Sequence, residues 1–166
     1  MVSAVKFALE NGSITGTTLA ERFEERFGAR ILHGYGLSET TAYACFLPVD
    51  LSDAEHRRWM RGHGYPSIGV PIDVNEMTIH DAEGRERPDG EKGEIVVRGH
   101  NVMSGYFQRP EANAETFKHG WFRSGDEGFA LRDEHGRRFF FITGRIKELI
   151  NRGGGSSTAR LRSKRR

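Results

Sequence analysis

A short glycine-rich stretch, HGYGLSETT at positions 33–41, brings together an aromatic ring, a hydroxyl and a carboxylate. The ring of Tyr35 could lie flat against a planar base, and the hydroxyl of Ser38 could donate to a phosphate oxygen. The carboxylate of Glu39 could hold Mg²⁺, which neutralises negative charge on phosphate groups. The alternative is a generic turn in which Glu39 caps a following helix. Taken alone, this stretch favours the generic turn.

Two further stretches place charged groups beside a glycine. In SGD, at positions 124–126, the carboxylate of Asp126 could accept both hydroxyls of a ribose, because an ionised carboxylate has two acceptor oxygens. The alternative is an aspartate in a hairpin turn, which is the commonest place for a Gly-Asp pair. In GRIK, Arg145 and Lys147 are the cations, and the alternative to a functional role is an exposed helix start.

The elements around HGYGLSETT are typical of an α/β fold. A capping box and apolar residues at four-residue spacing predict a helix over residues 18–27. Residues 29–36 predict a short strand that runs into the glycine turn. Ser52 and Glu55 form a second capping box, which predicts another helix over residues 52–61. Because α/β domains bind ligands at the carboxyl ends of their strands, the turn after this strand is a candidate site.

The pattern changes from helical to β-rich after residue 72. Glycines and prolines over residues 62–72 predict a loop and a boundary between two units. Alternating and β-branched runs beyond it predict strands at residues 74–80, 94–99 and 136–144. The predicted fold class is therefore α/β, with residues 1–71 forming the end of a layered α/β domain and residues 72–143 forming a small β-rich subdomain.

The composition limits the classes of protein that the chain can belong to. The 166 residues are 36% hydrophobic and 29% charged, and no apolar run approaches the ~20 residues that span a bilayer. The N-terminus lacks the pattern of a signal peptide. Cys45 is the only cysteine, so we expect a reducing compartment, the cytoplasm, with Cys45 packed as a small hydrophobe. No histidine has a metal-ligand spacing to another histidine or to this cysteine.

The formal net charge of +2 comes from the end of the chain. Residues 153–166 hold five basic residues and no acidic ones, so the rest of the chain carries a charge of −3. This basic tail has no apolar periodicity, which predicts disorder. A nucleic-acid or anionic-surface binder is one hypothesis for it. The tail is short and lacks interleaved aromatic residues, so we expect no nucleic-acid partner.

Four segments in order along the chain resemble the adenylate-forming enzymes, specifically their acyl-CoA synthetase branch. They are GYGLSETT (34–41), PSIGVPI (66–72), residues 93–117 with GWFRSGDEGF (120–129), and GRIKELINRGG (144–154). The sequences GWFRSGD and INRGG are more similar to those of acyl-CoA ligases than to those of peptide-synthetase adenylation domains or luciferases. The resemblance implies an enzyme that activates a carboxylic acid, fatty acids among them, with ATP and Mg²⁺. It also implies transfer of the acyl group to coenzyme A, and a β-rich subdomain shaped as a distorted barrel.

The resemblance implies a role for each residue of GYGLSE. Tyr35, between Gly34 and Gly36, contacts the adenine of ATP or AMP. Ser38 contacts the α-phosphate, and Glu39 is the Mg²⁺ ligand, so that these two residues form the catalytic pair. Family members usually carry threonine at the position of Ser38, and serine retains the hydroxyl.

The resemblance also implies roles for three residues near the end of the chain. Asp126 matches the aspartate that binds the ribose, and Arg145 matches an arginine that reaches the ribose or phosphate. Lys147 matches the position of a hinge, here residues 144–152, about which a small C-terminal domain rotates between the two half-reactions. The residues 102–113 are diagnostic of the family, and we expect Tyr106 to pack against the β-rich subdomain.

Two parts that the resemblance implies are not in this sequence. One is an upstream glycine- and threonine-rich phosphate loop, and the other is a downstream domain with a lysine that stabilises the adenylation transition state. A frameshift, a cloning scar or a misassembled gene would each explain the change after INRGG to an unrelated basic tail. We therefore expect a fragment that does not form acyl-adenylate by itself. The alternative is a non-catalytic remnant, or a truncated protein that binds a nucleotide or a partner.

Overall fold

The computed structural model describes residues 7–11 and 17–146. In chain order the described elements are β1 (Phe7–Asn11), α1 (Thr17–Phe27), β2 (Arg30–Tyr35), β3 (Cys45–Phe46), α2 (Asp53–Arg61), β4 (Ser67–Pro71), β5 (Asn75–His80), β6 (Gly93–Gly99), α3 (Pro110–Thr116), β7 (Phe122–Arg132) and β8 (Arg138–Arg145). The predicted hinge residue Lys147 and the predicted disordered tail lie outside the described residues. Among the described helices, none combines the length and the apolar character that crossing a membrane requires.

The described strands form one sheet in the order β1-β2-β3-β4-β8-β7-β6-β5. β1 and β2 are parallel, and every other neighbouring pair in this order is antiparallel. This arrangement confirms the predicted α/β class, since a helix and parallel strands come first and a β-rich part follows. HGYGLSETT begins near the carboxyl end of β2, which belongs to the parallel pair of strands.

The helix α2 begins where its capping box predicts. The Ser52 hydroxyl accepts a hydrogen bond from the Glu55 backbone N–H at 3.3 Å, and the Glu55 carboxylate accepts one from the Ser52 backbone N–H at 2.7 Å. The buried face of this helix carries Trp59, whose ring stacks on that of Phe139 in β8 with the centroids 3.9 Å apart. Stacking of this kind adds about 0.5–1.5 kcal/mol to the contribution from area burial alone.

The prediction of a loop over residues 62–72 is wrong for its second half. Ser67–Pro71 forms β4, which pairs with β3 on one side and with β8 on the other. The Ser67 hydroxyl donates to the Phe140 carbonyl at 2.9 Å and accepts from the Gly69 backbone N–H at 3.0 Å. The Ser67 side chain thus hydrogen-bonds to two backbone groups at the position where the pairing of β4 with β8 shifts register. Gly69 and Pro71 therefore belong to a bulged strand. Glycine and proline are also typical of loops, so the sequence did not distinguish this strand from a loop.

The longest of the described strands, β7, is absent from the predictions. Its 11 residues pair with β6 and β8 and contain the whole of SGD. The helix α3 was also missed, although Pro110 stands at its first turn, where proline is favoured.

Within the described residues, two clusters of buried side chains form the core. One contains Tyr35, Cys45 and residues of β5–β8, and the other contains Trp59 with Phe139 and Phe141. Cys45 is fully buried and its thiol donates to the Ile68 carbonyl at 3.1 Å, which confirms the expectation of a packed hydrophobe. Burial raises the pKa of this thiol well above its usual range.

Candidate functional site

A tight turn joins the end of β2 to a short 3₁₀ helix at Ser38–Thr40. A Cβ atom added to Gly36 would lie 1.6 Å from the Ala42 carbonyl oxygen, so only glycine fits there. Thr41 and Ala42 follow with φ of 48° and 85°, a left-handed conformation that side chains other than glycine rarely adopt. Backbone strain of this kind is concentrated at functional sites in proteins.

The buried centre of the site joins Tyr35 on β2, Asp126 on β7 and Arg145 on β8. The Tyr35 hydroxyl donates to Asp126 Oδ2 at 2.8 Å, across 91 residues of sequence. Arg145 Nε lies 3.2 Å from Asp126 Oδ1, and these two residues are directly opposite each other in the antiparallel ladder. Tyr35 and Asp126 are each 4% exposed, whereas the Arg145 side chain is 62% exposed. The structure therefore gathers three of the four family-like segments around one carboxylate.

The environment keeps the Tyr35 hydroxyl protonated. Burial, followed by the negative charge of Asp126, raises the pKa of Tyr35 well above its usual range. The phenol is thus a hydrogen-bond donor to the carboxylate across the physiological pH range. The described contact of Tyr35 in the site is made through this hydroxyl, and stacking of adenine on the ring stays a prediction.

The backbone before Asp126 is fixed from β6. The Ser124 hydroxyl donates to the Ile95 carbonyl at 2.6 Å and accepts from the Asp126 backbone N–H at 3.1 Å. The Glu94 carboxylate accepts from the Gly125 backbone N–H at 2.8 Å and forms an ion pair with Arg123. Asp126 therefore lies inside a braced strand, so the alternative of a hairpin-turn aspartate is wrong.

A second group of contacts surrounds Glu39, which is partly buried. Its Oε1 accepts a hydrogen bond from the Tyr106 hydroxyl at 2.8 Å, and its backbone carbonyl accepts one from the Met103 N–H at 2.8 Å. The hydrogen bond to Glu39 is the main reason why the pKa of Tyr106 is raised. Tyr106 is 38% exposed, and the expectation that it packs against the β-rich subdomain stays a prediction.

The predicted site residues fall into two sets. Tyr35, Asp126 and Arg145 are directly linked, and Gly34 and Gly36 flank the tyrosine on the same strand and turn. The second set consists of Ser38 and Glu39, which lie in the 3₁₀ helix that follows. Ser38 is exposed, and Glu39 accepts a hydrogen bond from Tyr106. Sequence reasoning missed Tyr106, Ser124 and Glu94 as parts of the site. Tyr106 and Ser124 lie inside family-like segments, and this position in the sequence was the available signal for these two residues.

The donor set fits a magnesium nucleotide. A partly buried carboxylate on a rigid turn is the type of oxygen ligand that Mg²⁺ takes in proteins. The Asp126 carboxylate accepts a hydrogen bond at one oxygen and forms an ion pair at the other, and an ionised carboxylate offers about four lone-pair sites. Ribose hydroxyls could therefore share this carboxylate with the groups that already orient it.

The family of the chain follows from its comparison with known proteins. A family model described as AMP-binding enzyme matches residues 1–107. The chain therefore belongs to the AMP-binding enzyme family. A probable CoA ligase, CCL9, from Humulus lupulus is 40% identical over 137 residues, which cover 82% of this chain and 24% of that protein. A sulfoacetate–CoA ligase from Cupriavidus necator is 41% identical over 133 residues, which cover 80% of this chain and 23% of that protein.

A solved structure agrees with these relatives. O-succinylbenzoate coenzyme A synthetase from Bacillus subtilis, in complex with ATP and magnesium ion, matches with a TM-score of 0.71 at 30% identity. The match covers 90% of this chain and 28% of that one. The chain thus spans about a quarter of the length of the curated relatives that it matches.

Proposed function

We propose that this chain forms part of the nucleotide site of an AMP-forming CoA ligase. In the first half-reaction, a substrate carboxylate attacks the α-phosphorus of ATP, forms an acyl-adenylate and releases pyrophosphate. In the second, the thiol of coenzyme A attacks the acyl carbon, forms a thioester and releases AMP. Membership of the AMP-binding enzyme family and the similarity to CoA ligases support this proposal.

The residues of the chain would share the binding of the nucleotide. Asp126 accepts hydrogen bonds from the ribose hydroxyls, and Arg145 adds a positive charge beside the ribose or phosphate. Ser38 donates its hydroxyl to an α-phosphate oxygen. Glu39 holds Mg²⁺, which would neutralise charge on the phosphates during the transfer. Tyr35 keeps the Asp126 carboxylate in place through its hydroxyl and contributes its ring to the adenine side.

The observation that carries the proposal is the link from Tyr35, by a hydrogen bond, to Asp126 and from Asp126, by an ion pair, to Arg145. Its members come from three strands and from three of the family-like segments. A buried carboxylate that is oriented by one neutral donor and one cationic ion-pair partner is suited to accept a pair of hydroxyls.

The organisation of the whole protein is also proposed. Residues 1–71 would end the large α/β part, residues 72–143 would form the β-rich subdomain, and residues 144–152 would form the hinge. A cytoplasmic location fits the single buried cysteine. We further propose that the 166-residue chain alone does not complete the reaction, since it spans about a quarter of its relatives. Carboxylate-dependent exchange of pyrophosphate into ATP by the purified chain would contradict this.

Calorimetric titration of the chain with AMP in the presence of MgCl₂ tests the nucleotide site. Asp126→Asn keeps the shape of the side chain and removes its charge. Hydrogen bonds to charged groups contribute about 1.5–3 kcal/mol, so the affinity for AMP should fall about tenfold or more. The matched control is Asp50→Asn, which changes an exposed carboxylate paired with Arg137 and should leave the affinity unchanged.

Either of two results would overturn the proposal. One is equal affinity of Asp126→Asn and the unchanged chain for AMP. The other is the absence of AMP binding by the unchanged chain, which would favour a non-catalytic remnant. Unfolding curves for each variant establish that the compared proteins are folded.

A further inference from the structure

The Tyr106 hydroxyl reaches Glu39 from the connection between β6 and α3. Its oxygen lies 2.8 Å from Glu39 Oε1, although the two residues are 67 positions apart in sequence. One accepted hydrogen bond restricts the rotation of the carboxylate and leaves the other lone-pair sites for a cation. The contact is thus of the kind that orients a metal ligand from outside the coordination sphere.

The position of Tyr106 is itself fixed by α3. The Asn113 side chain accepts from the Tyr106 backbone N–H at 2.7 Å and donates to the Tyr106 carbonyl at 2.9 Å. Gly105 has a φ of 148°, and a Cβ there would lie 3.1 Å from the Asn113 amide. The spacing of Gly105, Tyr106 and Asn113 in the sequence therefore serves to hold one tyrosine.

Two further contacts fasten this connection to the strained turn after Glu39. The Asn101 side chain donates to the Tyr43 carbonyl at 2.9 Å, and the Asn101 carbonyl accepts from the Thr41 hydroxyl at 3.0 Å. Together with the bond from the Met103 N–H to the Glu39 carbonyl, these contacts hold the chain at Glu39 and over the residues that follow it. Tyr106 adds the one contact described for the carboxylate itself within residues 17–146.

We infer that Tyr106 is a positioning residue for the metal site, in which its hydroxyl orients the Glu39 carboxylate toward the cation. This inference rests on the proposed role of Glu39 as a Mg²⁺ ligand. Loss of the hydroxyl should leave the ligand in place with greater rotational freedom. Changes to groups that orient metal ligands typically lower metal affinity by about 10–100-fold.

Paramagnetic Mn²⁺, added alone to the ¹⁵N-labelled chain, provides a readout that is independent of turnover. The amide resonance of Met103 reports on the site, because that N–H bonds to the Glu39 backbone. In Tyr106→Phe, half-broadening of this resonance should require about tenfold more Mn²⁺ than in the unchanged chain. Glu39→Gln should abolish the selective broadening. The matched control is Tyr65→Phe, which removes a hydroxyl in the other core cluster and should behave as the unchanged chain does.

A second variant, Asn113→Ala, keeps the hydroxyl and releases the Tyr106 backbone, and it should also raise the Mn²⁺ requirement. Thermal unfolding shows whether each variant is folded. Equal Mn²⁺ requirements for Tyr106→Phe and the unchanged chain, with loss of broadening in Glu39→Gln, would overturn the inference and leave the metal role of Glu39 intact. Selective broadening that persists in Glu39→Gln, or that is absent from the unchanged chain, would overturn both.

Discussion

Replacing Tyr35 with phenylalanine should destabilise the folded chain through one missing hydrogen bond. The hydroxyl donates at 2.8 Å to a carboxylate that is 4% exposed, and the ring is equally buried. Phenylalanine keeps the ring, so no cavity forms beyond the space of one oxygen atom. The cost is therefore that of removing one donor from the buried Asp126 carboxylate.

The size of the effect follows from the partners that remain. A hydrogen bond to a charged group contributes about 1.5–3 kcal/mol. Arg145 still contacts the other oxygen of the carboxylate at 3.2 Å, which prevents complete isolation of the charge. We therefore expect Tyr35→Phe to lower the free energy of unfolding by about 2 kcal/mol.

Urea unfolding followed by circular dichroism measures this difference. The slope of the free energy with urea should be unchanged, because the surface exposed on unfolding is the same. Tyr65→Phe is the control, since Tyr65 contacts Phe129 through its ring, and we expect a change below about 0.5 kcal/mol there. Equal stability of Tyr35→Phe and this control would refute the reasoning.

The pH dependence gives the same prediction a second test. Because the pKa of Tyr35 is raised, the native state keeps the phenolic proton at pH values where the unfolded chain has lost it. The resulting stability is fully present below the unfolded pKa of about 10 and is lost as the pH rises through the native value. The difference between the unchanged chain and Tyr35→Phe should be constant at neutral pH and shrink in strongly alkaline buffer.

Two other predictions concern the core. Burial raises the pKa of the Cys45 thiol, so a thiol reagent such as DTNB should modify it only on unfolding, and rapid reaction in native buffer would contradict its buried placement. Trp59→Ala should lower the free energy of unfolding by about 3–5 kcal/mol, because it empties a buried site and removes the stack on Phe139. Thermal unfolding measures that loss, and a change below about 1 kcal/mol would show that the packing is not stabilising.

Local signals in the sequence predicted elements that local interactions define. The capping box of α2 needs only Ser52 and Glu55, which are three residues apart, so the sequence contains the whole cause. The strand β2 was predicted for a similar reason, since its apolar run ends at a glycine turn that no distant residue has to supply.

Local sequence signals did not predict the elements that depend on distant partners. SGD within β7 has the composition of a turn, and it remains in a strand because Glu94 on β6 accepts from the Gly125 backbone N–H. The link between Tyr106 and Glu39 likewise exists only after the chain has folded. Resemblance to a family could assign Asp126 to the site, while the hydroxyl that donates to it emerged only from the folded arrangement.

The hydrogen bond between Tyr35 and Asp126 requires a strongly curved sheet. β2 and β7 are separated in the sheet order by β3, β4 and β8. With strands about 4.8 Å apart, a flat sheet would hold these two strands roughly 19 Å from each other, far beyond the reach of a tyrosine side chain. The sheet must therefore curl until non-neighbouring strands face one another. Curvature is thus a precondition for this carboxylate to be oriented at all, and a flattening of the sheet would separate tyrosine and aspartate without moving either residue on its own strand.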